Sequence, residues 1–164
     1  MSLDLVSGLA LLERRLSEDR HLAVLVTTRP DRDEPQVAVV NAAVMDHPIT
    51  GEPVVALVAR RGAKVANLRR HSHATVVARA GWEWAAATGS VELSGPDDPN
   101  PAFDENSQRE LLRQIFHAAG GQHPDLDVYD RVMIDERRCA VLIHPTRAWT
   151  NPTGSEHVEP ENES

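Results

Sequence analysis

The chain has 164 residues, 41% of them hydrophobic and 26% charged, with a formal net charge of −8. That is enough chain for one domain with a real core, and too acidic for a general nucleic-acid binder, which carries a basic surface. No apolar run reaches the roughly 20 residues that cross a bilayer, no secretory signal opens the sequence, and the single cysteine, Cys139, can form no internal disulfide, so a cytoplasmic protein away from membranes is expected.

Residues 4 to 17 read as an amphipathic helix, with Leu5, Leu9, Leu12 and Leu16 on one face. A β-rich run, His21 to Thr28, ends in a proline-bracketed polar loop from Arg29 to Pro35. Gln36 to Met45 is a second strand with two apolar faces: Val37, Val39, Ala43 and Met45 on one, Ala38, Val40, Ala42 and Val44 on the other. Such a strand is expected to be covered on both sides. Its one polar residue, Asn41, needs a partner there, from backbone or ligand. Val54 to Ala59 is a third strand, Ala63 to Arg70 a short helix, and Ala74 to Arg79 a fourth strand.

Trp82 to Ser94 is a fifth strand, with Gly89 as a candidate bulge. After a break at Gly95 to Pro101, a helix is marked by a Ser107–Glu110 capping box, a stripe of Leu111, Leu112, Ile115 and Phe116, and a stop at Gly120-Gly121. A last strand, Cys139 to Ile143, ends at Pro145, and Cys139 within it reads as a small core hydrophobe. Trp149 closes the ordered part. From Asn151 the chain is polar and acidic, with Glu156, Glu159, Glu161 and Glu163, so residues 1–150 read as the domain and 151–164 as a disordered tail.

Six strands joined mainly by turns, with helices at the edges, predict a mainly β (α+β) fold closed as an antiparallel barrel. There is no Gly-x-Gly-x-x-Gly and no strand–helix alternation, which argues against a Rossmann sheet. The chemistry concentrates where the third strand meets the short helix, at Arg60-Arg61-Gly62-Ala63-Lys64. Lys64, the guanidinium forks and the free N–H groups of a helix start suit a phosphate. Arg60 and Arg61 alternate in direction if the strand persists, so one of them faces the ligand, with Arg60 preferred. Asn67 follows one turn after Lys64. Trp82 and Trp84 share a strand face and read first as core or subunit contact, second as a pocket wall. His71-x-His73 has no third ligand at useful spacing, so no metal is expected, and no Gly-x-Ser-x-Gly elbow is present.

This order of elements, with Gly62-Ala63-Lys64-Val65-Ala66-Asn67-Leu68-Arg69-Arg70 at the junction, resembles the pyridoxamine 5′-phosphate oxidase-like FMN-binding split barrels over roughly residues 5 to 150. The stretch from His123-Pro124-Asp125 through Tyr129-Asp130-Arg131 to Arg138 is similar to members that bind the deazaflavin coenzyme F420. The resemblance implies a six-stranded antiparallel split β-barrel with flanking helices and a homodimer with cofactor sites between subunits. It implies cofactor contacts from Lys64, Arg60 or Arg61, and Asn67, from the strand around Asn41 and Val39, and from Trp149 near the partner's cofactor.

Two departures limit it: Ala63 stands where true pyridoxamine phosphate oxidases have arginine, and their late basic and aromatic substrate set is not found. The expectation is a homodimeric oxidoreductase passing a hydride from reduced F420 to a small organic substrate. FMN is the alternative cofactor, and a non-catalytic flavin- or haem-type binding protein is the reading from another class. No catalytic residue is named.

Overall fold

The computed structural model describes residues 1–152, so the expected tail lies outside the described residues apart from its first two positions. The elements are β1 (Ser2–Leu3), α1 (Leu5–Glu18), β2 (Leu22–Arg29), β3 (Glu34–Asp46), β4 (Pro53–Ala59), α2 (Ala63–Arg70), β5 (His73–Ala80), β6 (Glu83–Ser94), α3 (Glu105–Ala118), α4 (Leu126–Asp135) and β7 (Cys139–Thr150). The strands pair antiparallel in the order β1-β7-β4-β3-β2-β5-β6, and β6 pairs again with β7 to close a six-stranded barrel.

Alternation along the strands fills the interior. Ala23 and Leu25 of β2, Val40 and Ala42 of β3, Ala74, Val76 and Ala78 of β5, and Ala85 and Ala87 of β6 all point inward. So many alanines make a narrow barrel. Leu9, Leu12 and Leu16 of α1, with Val65 and Leu68 of α2, complete that core. Each of those leucines contributes about 1.5–3 kcal/mol by leaving water. A second core lies outside the barrel. There α3 lays Leu111, Leu112 and Ile115 on Val54 and Ala56 of β4 and Ala140 and Leu142 of β7. β4 and the first half of β7 are therefore buried on both faces, which is why they read as unbroken apolar runs.

Four expectations change. β7 does not stop at Pro145 but runs on to Thr150. Its register with β6 shifts between Thr88 and Gly89, so that Gly89 faces Pro145 while Thr88 faces Arg147. The bulge accommodates a proline that cannot donate a ladder hydrogen bond. The segment 126–135 is a helix, with Asp125 accepting from the Asp127 and Val128 amides at its start. The capping box of α3 is Asp104 with Ser107, not Ser107 with Glu110. Finally, β3 is covered on both faces only in its second half: α3 lies over Ala43 and Met45, while Val37 and Val39 are 61% and 69% exposed.

A Cβ on Gly89 would overlap the backbone carbonyl of His144, whereas at Gly81, with φ of +61°, it would meet nothing. Gly89→Ala should therefore cost on the order of 3 kcal/mol or more, against roughly 1–2 kcal/mol for Gly81→Ala. Equal urea midpoints for the two variants would contradict the close approach at the bulge.

Burial pushes the Cys139 thiol from its ordinary 9.0 up to about 12, and the Tyr129 phenol from 10.0 up to about 12. The unfolded chain ionises both groups first, so their contributions to stability are intact below about pH 9 and decline as pH rises towards 12. The urea midpoint should fall over that window, and Cys139→Ala should flatten the start of the fall. An unchanged slope in that variant would remove Cys139 as the cause.

Candidate functional site

β4 delivers the chain from the barrel wall to Arg60 and Arg61, and Gly62 opens α2. Three of the four helices begin with an aspartate whose carboxylate accepts backbone N–H groups: Asp4, Asp104 and Asp125. α2 is the exception. Its start has no side-chain cap, so its first N–H groups have no intrahelical partner. Lys64, half-buried in that first turn, makes no ion pair or hydrogen bond among the described residues.

The other basic candidates are engaged. Arg60 donates to Glu136 at 3.2 Å, and Arg61 lies 3.6 Å from Asp97. Arg137, donating to Asp97, holds that carboxyl below its usual range. The Arg60 and Arg61 pairs are exposed, and such pairs exchange readily with solvent and ions. Asn67 is buried at the mouth of the barrel, donating to Gln36 Oε1 at 2.7 Å and to Thr27 Oγ1 at 3.3 Å. Those bonds fix α2 against the β2–β3 hairpin.

Asn41 finds backbone partners: its amide donates to the carbonyls of Arg20 and, more weakly, His21. It shares the outer face of β3 with Val37 and Val39. Val39 begins a row that crosses five strands. Val24, Val77, Ala86 and Trp149 follow it in register on β2, β5, β6 and β7. Trp149 thus stands four strands on from Val39 along this row, which curves round the barrel. Near Trp149, a groove of about 820 Å³ is lined by Val77, Arg79, Gly81, Trp82, Trp84, Ala86 and Trp149. A second cleft, of about 590 Å³, lies between α3, α4 and the loop before α3. Two of its three acids are already used: Asp104 caps α3, and Asp130 holds Arg113 in a two-point pair, while Glu105 has no partner among the described residues.

The fold also assembles His47, Glu92 and His144, a set with no local sequence signal. His47 is buried, and its Nε2 lies 3.1 Å from Glu92, whose other oxygen is 3.4 Å from His144 Nε2. The donor set is that of a metal site, but His47 Nδ1 accepts from the Ile49 and Thr50 amides. That fixes the proton of a neutral ring on Nε2, the atom a metal would need. The cluster reads as a clamp that holds the turn after β3 to β6 and β7.

No family model matches the sequence. Solved structures share the fold. A pyridoxamine 5′-phosphate oxidase-related, FMN-binding protein from Nostoc punctiforme matches with a TM-score of 0.57 at 15% identity, over 92% of this chain and 86% of that one. A protein from Clostridium acetobutylicum, related to general stress protein 26 and described as of the pyridoxinephosphate oxidase family, matches with a TM-score of 0.54 at 12% identity, over 85% of each chain. A haem-binding protein from Mycobacterium smegmatis matches with a TM-score of 0.55 at 16% identity, over 90% of this chain but only 55% of its own length. The chain thus has the fold of the pyridoxamine 5′-phosphate oxidase-related split barrels.

Proposed function

We propose that the chain binds FMN as a two-fold dimer and acts as a flavin-dependent oxidoreductase on a small organic substrate. The observation that carries this reading is the start of α2, which among the described helices lacks a side-chain cap, beside Lys64, which pairs with no acid among the described residues. A phosphate there would complete the helix end and neutralise the lysine together. Arg60 and Arg61 stand by on surface pairs that a stronger anion displaces. The small and apolar outer face of β3, Val37 and Val39, offers a flat bed for an isoalloxazine. A bound flavin supplies the hydride chemistry; the protein holds the phosphate, orients the ring and keeps water from it.

FMN ranks ahead of F420. The likeness to deazaflavin binders rested on residues 123–138, and their side chains have local structural roles. Tyr129 donates to the Leu112 carbonyl, Asp130 pairs with Arg113, and Glu136 pairs with Arg60 and Arg138. A stretch explained by packing carries less weight for a cofactor. The FMN-binding description of the Nostoc neighbour supports the same order. The haem-binding neighbour from Mycobacterium smegmatis supports the haem reading through the shared fold, while no histidine among the described residues lines the tryptophan groove to serve as an axial ligand there.

The dimer follows from the open face. Val37, Val39, Leu22 and Val24 form an exposed apolar band on the part of the sheet that α3 leaves open. A two-fold axis beside that band lets the partner cover it together with the flavin lying on it, and carries Trp149 towards the partner's Lys64 end.

Lys64→Ala should weaken FMN binding about 10- to 150-fold and leave the urea midpoint within about 0.5 kcal/mol of the parent. Unchanged affinity, or no binding of FMN at low salt by the parent protein, would overturn the phosphate assignment; F420 binding tighter than FMN would reverse the cofactor ranking.

Light scattering should give a dimer at micromolar concentration. Val39→Glu should give a monomer with the same circular dichroism. A monomeric parent protein would end the proposed interface.

A further inference from the structure

All three tryptophans of the chain line one groove, and the buried core contains none of them. Indoles are the largest apolar side chains, and a folding chain ordinarily uses them to fill space. Here Trp82 is 80% exposed, on the turn between β5 and β6, while Trp84 and Trp149 stand half-buried on the adjacent strands β6 and β7. Between them the floor is small: Val77, Gly81 and Ala86. The result is an open groove bordered by three indoles over a floor of small side chains.

Two guanidinium groups give the groove its charge. Arg79 lies directly across the strand pair from Trp84 and lines the groove. Its one hydrogen bond goes to the Gly81 carbonyl at 3.2 Å. The Arg147 guanidinium stacks on Trp149, 4.6 Å from the ring centre. Neither has a carboxylate within ion-pair distance among the described residues. Arg60, Arg61, Arg69, Arg113, Arg137 and Arg138 all do, while Arg20, Arg29, Arg70 and Arg131, which also lack one, line neither cavity. On a protein of net charge −8, an aromatic groove flanked by two arginines without acidic partners is a local reversal of sign.

We infer that this groove binds a small planar aromatic anion, of which an aromatic carboxylate is the simplest form. The ring stacks on the indole faces, and the carboxylate meets the planar fork of Arg79 in a two-point pair. Aromatic cations are excluded by the same charge. That such an anion is the substrate rests on the flavin reading above; its binding in the groove does not.

The test is a titration of the ¹⁵N-labelled full chain with 2-naphthoate, read at the three indole N–H resonances. Saturable shifts at the indoles are expected. Affinity should drop on the order of 10-fold or more for Arg79→Gln, and equally for the neutral 2-naphthylmethanol. Absence of saturable shifts at millimolar naphthoate overturns the proposal, as does equal binding of acid and alcohol. Indole signals that follow protein concentration and ignore naphthoate also overturn it, since a second copy then fills the groove. Naphthoate binding as expected without any FMN binding upholds the groove and removes only the cofactor reading.

Discussion

Closure of the sheet through β7 is the constraint on which the rest of the molecule depends. That single strand pairs with β4 along its first half and with β6 along its full length, and takes β1 on its second half. A strand with so many partners must bend, and it bends at the Gly89–Pro145 bulge. Closure removes the open sheet edges that would otherwise pair with other chains. It also commits the interior. A barrel this rich in alanine, plugged by leucines from α1, is a packed core, so ligands meet the fold on its outer surface.

That outer surface is divided. α3 and α4 cover β4, the start of β7 and the end of β3; the remaining strands keep their outer residues open. β3 crosses the divide within one strand, from exposed Val37 and Val39 to buried Ala43. The covered half holds the ion pairs of Arg113 and the His47–Glu92–His144 clamp, where polar groups satisfy one another. The open half holds the apolar row and the tryptophan groove, whose exposed residues are mostly apolar or aromatic.

Much of this was legible in the sequence because its signals are local. Apolar, β-rich runs bounded by turn residues marked the strands of the barrel, the leucine spacing marked α1, Gly89 marked the bulge, and the apolar setting of Cys139 marked it as core. What escaped was non-local. Arg60 meets Glu136 and Arg61 meets Asp97 only after the chain has closed, and His47, Glu92 and His144 come from three separate elements. β7 was cut short at Pro145 because the bulge that accommodates it depends on β6. α4 is a different case. Asp125 as cap and Leu126, Tyr129 and Met133 at helical spacing were present, and the segment was read for its likeness instead of its periodicity. The two apolar faces of β3 were visible, but which half a helix would cover depended on where α3 docks.

The absence of tryptophan from the core separates two optical signals. Indole emission from this protein reports the polarity of one surface groove, while the packing of the barrel is silent at those wavelengths. Tyr129, held against Phe116 with ring centres 4.5 Å apart, is the aromatic reporter that senses the α3–α4 layer. An unfolding curve followed by emission therefore tracks the groove and whatever covers it, and one followed by backbone circular dichroism tracks the barrel. Where the two curves part, the surface has been uncovered before the fold is lost.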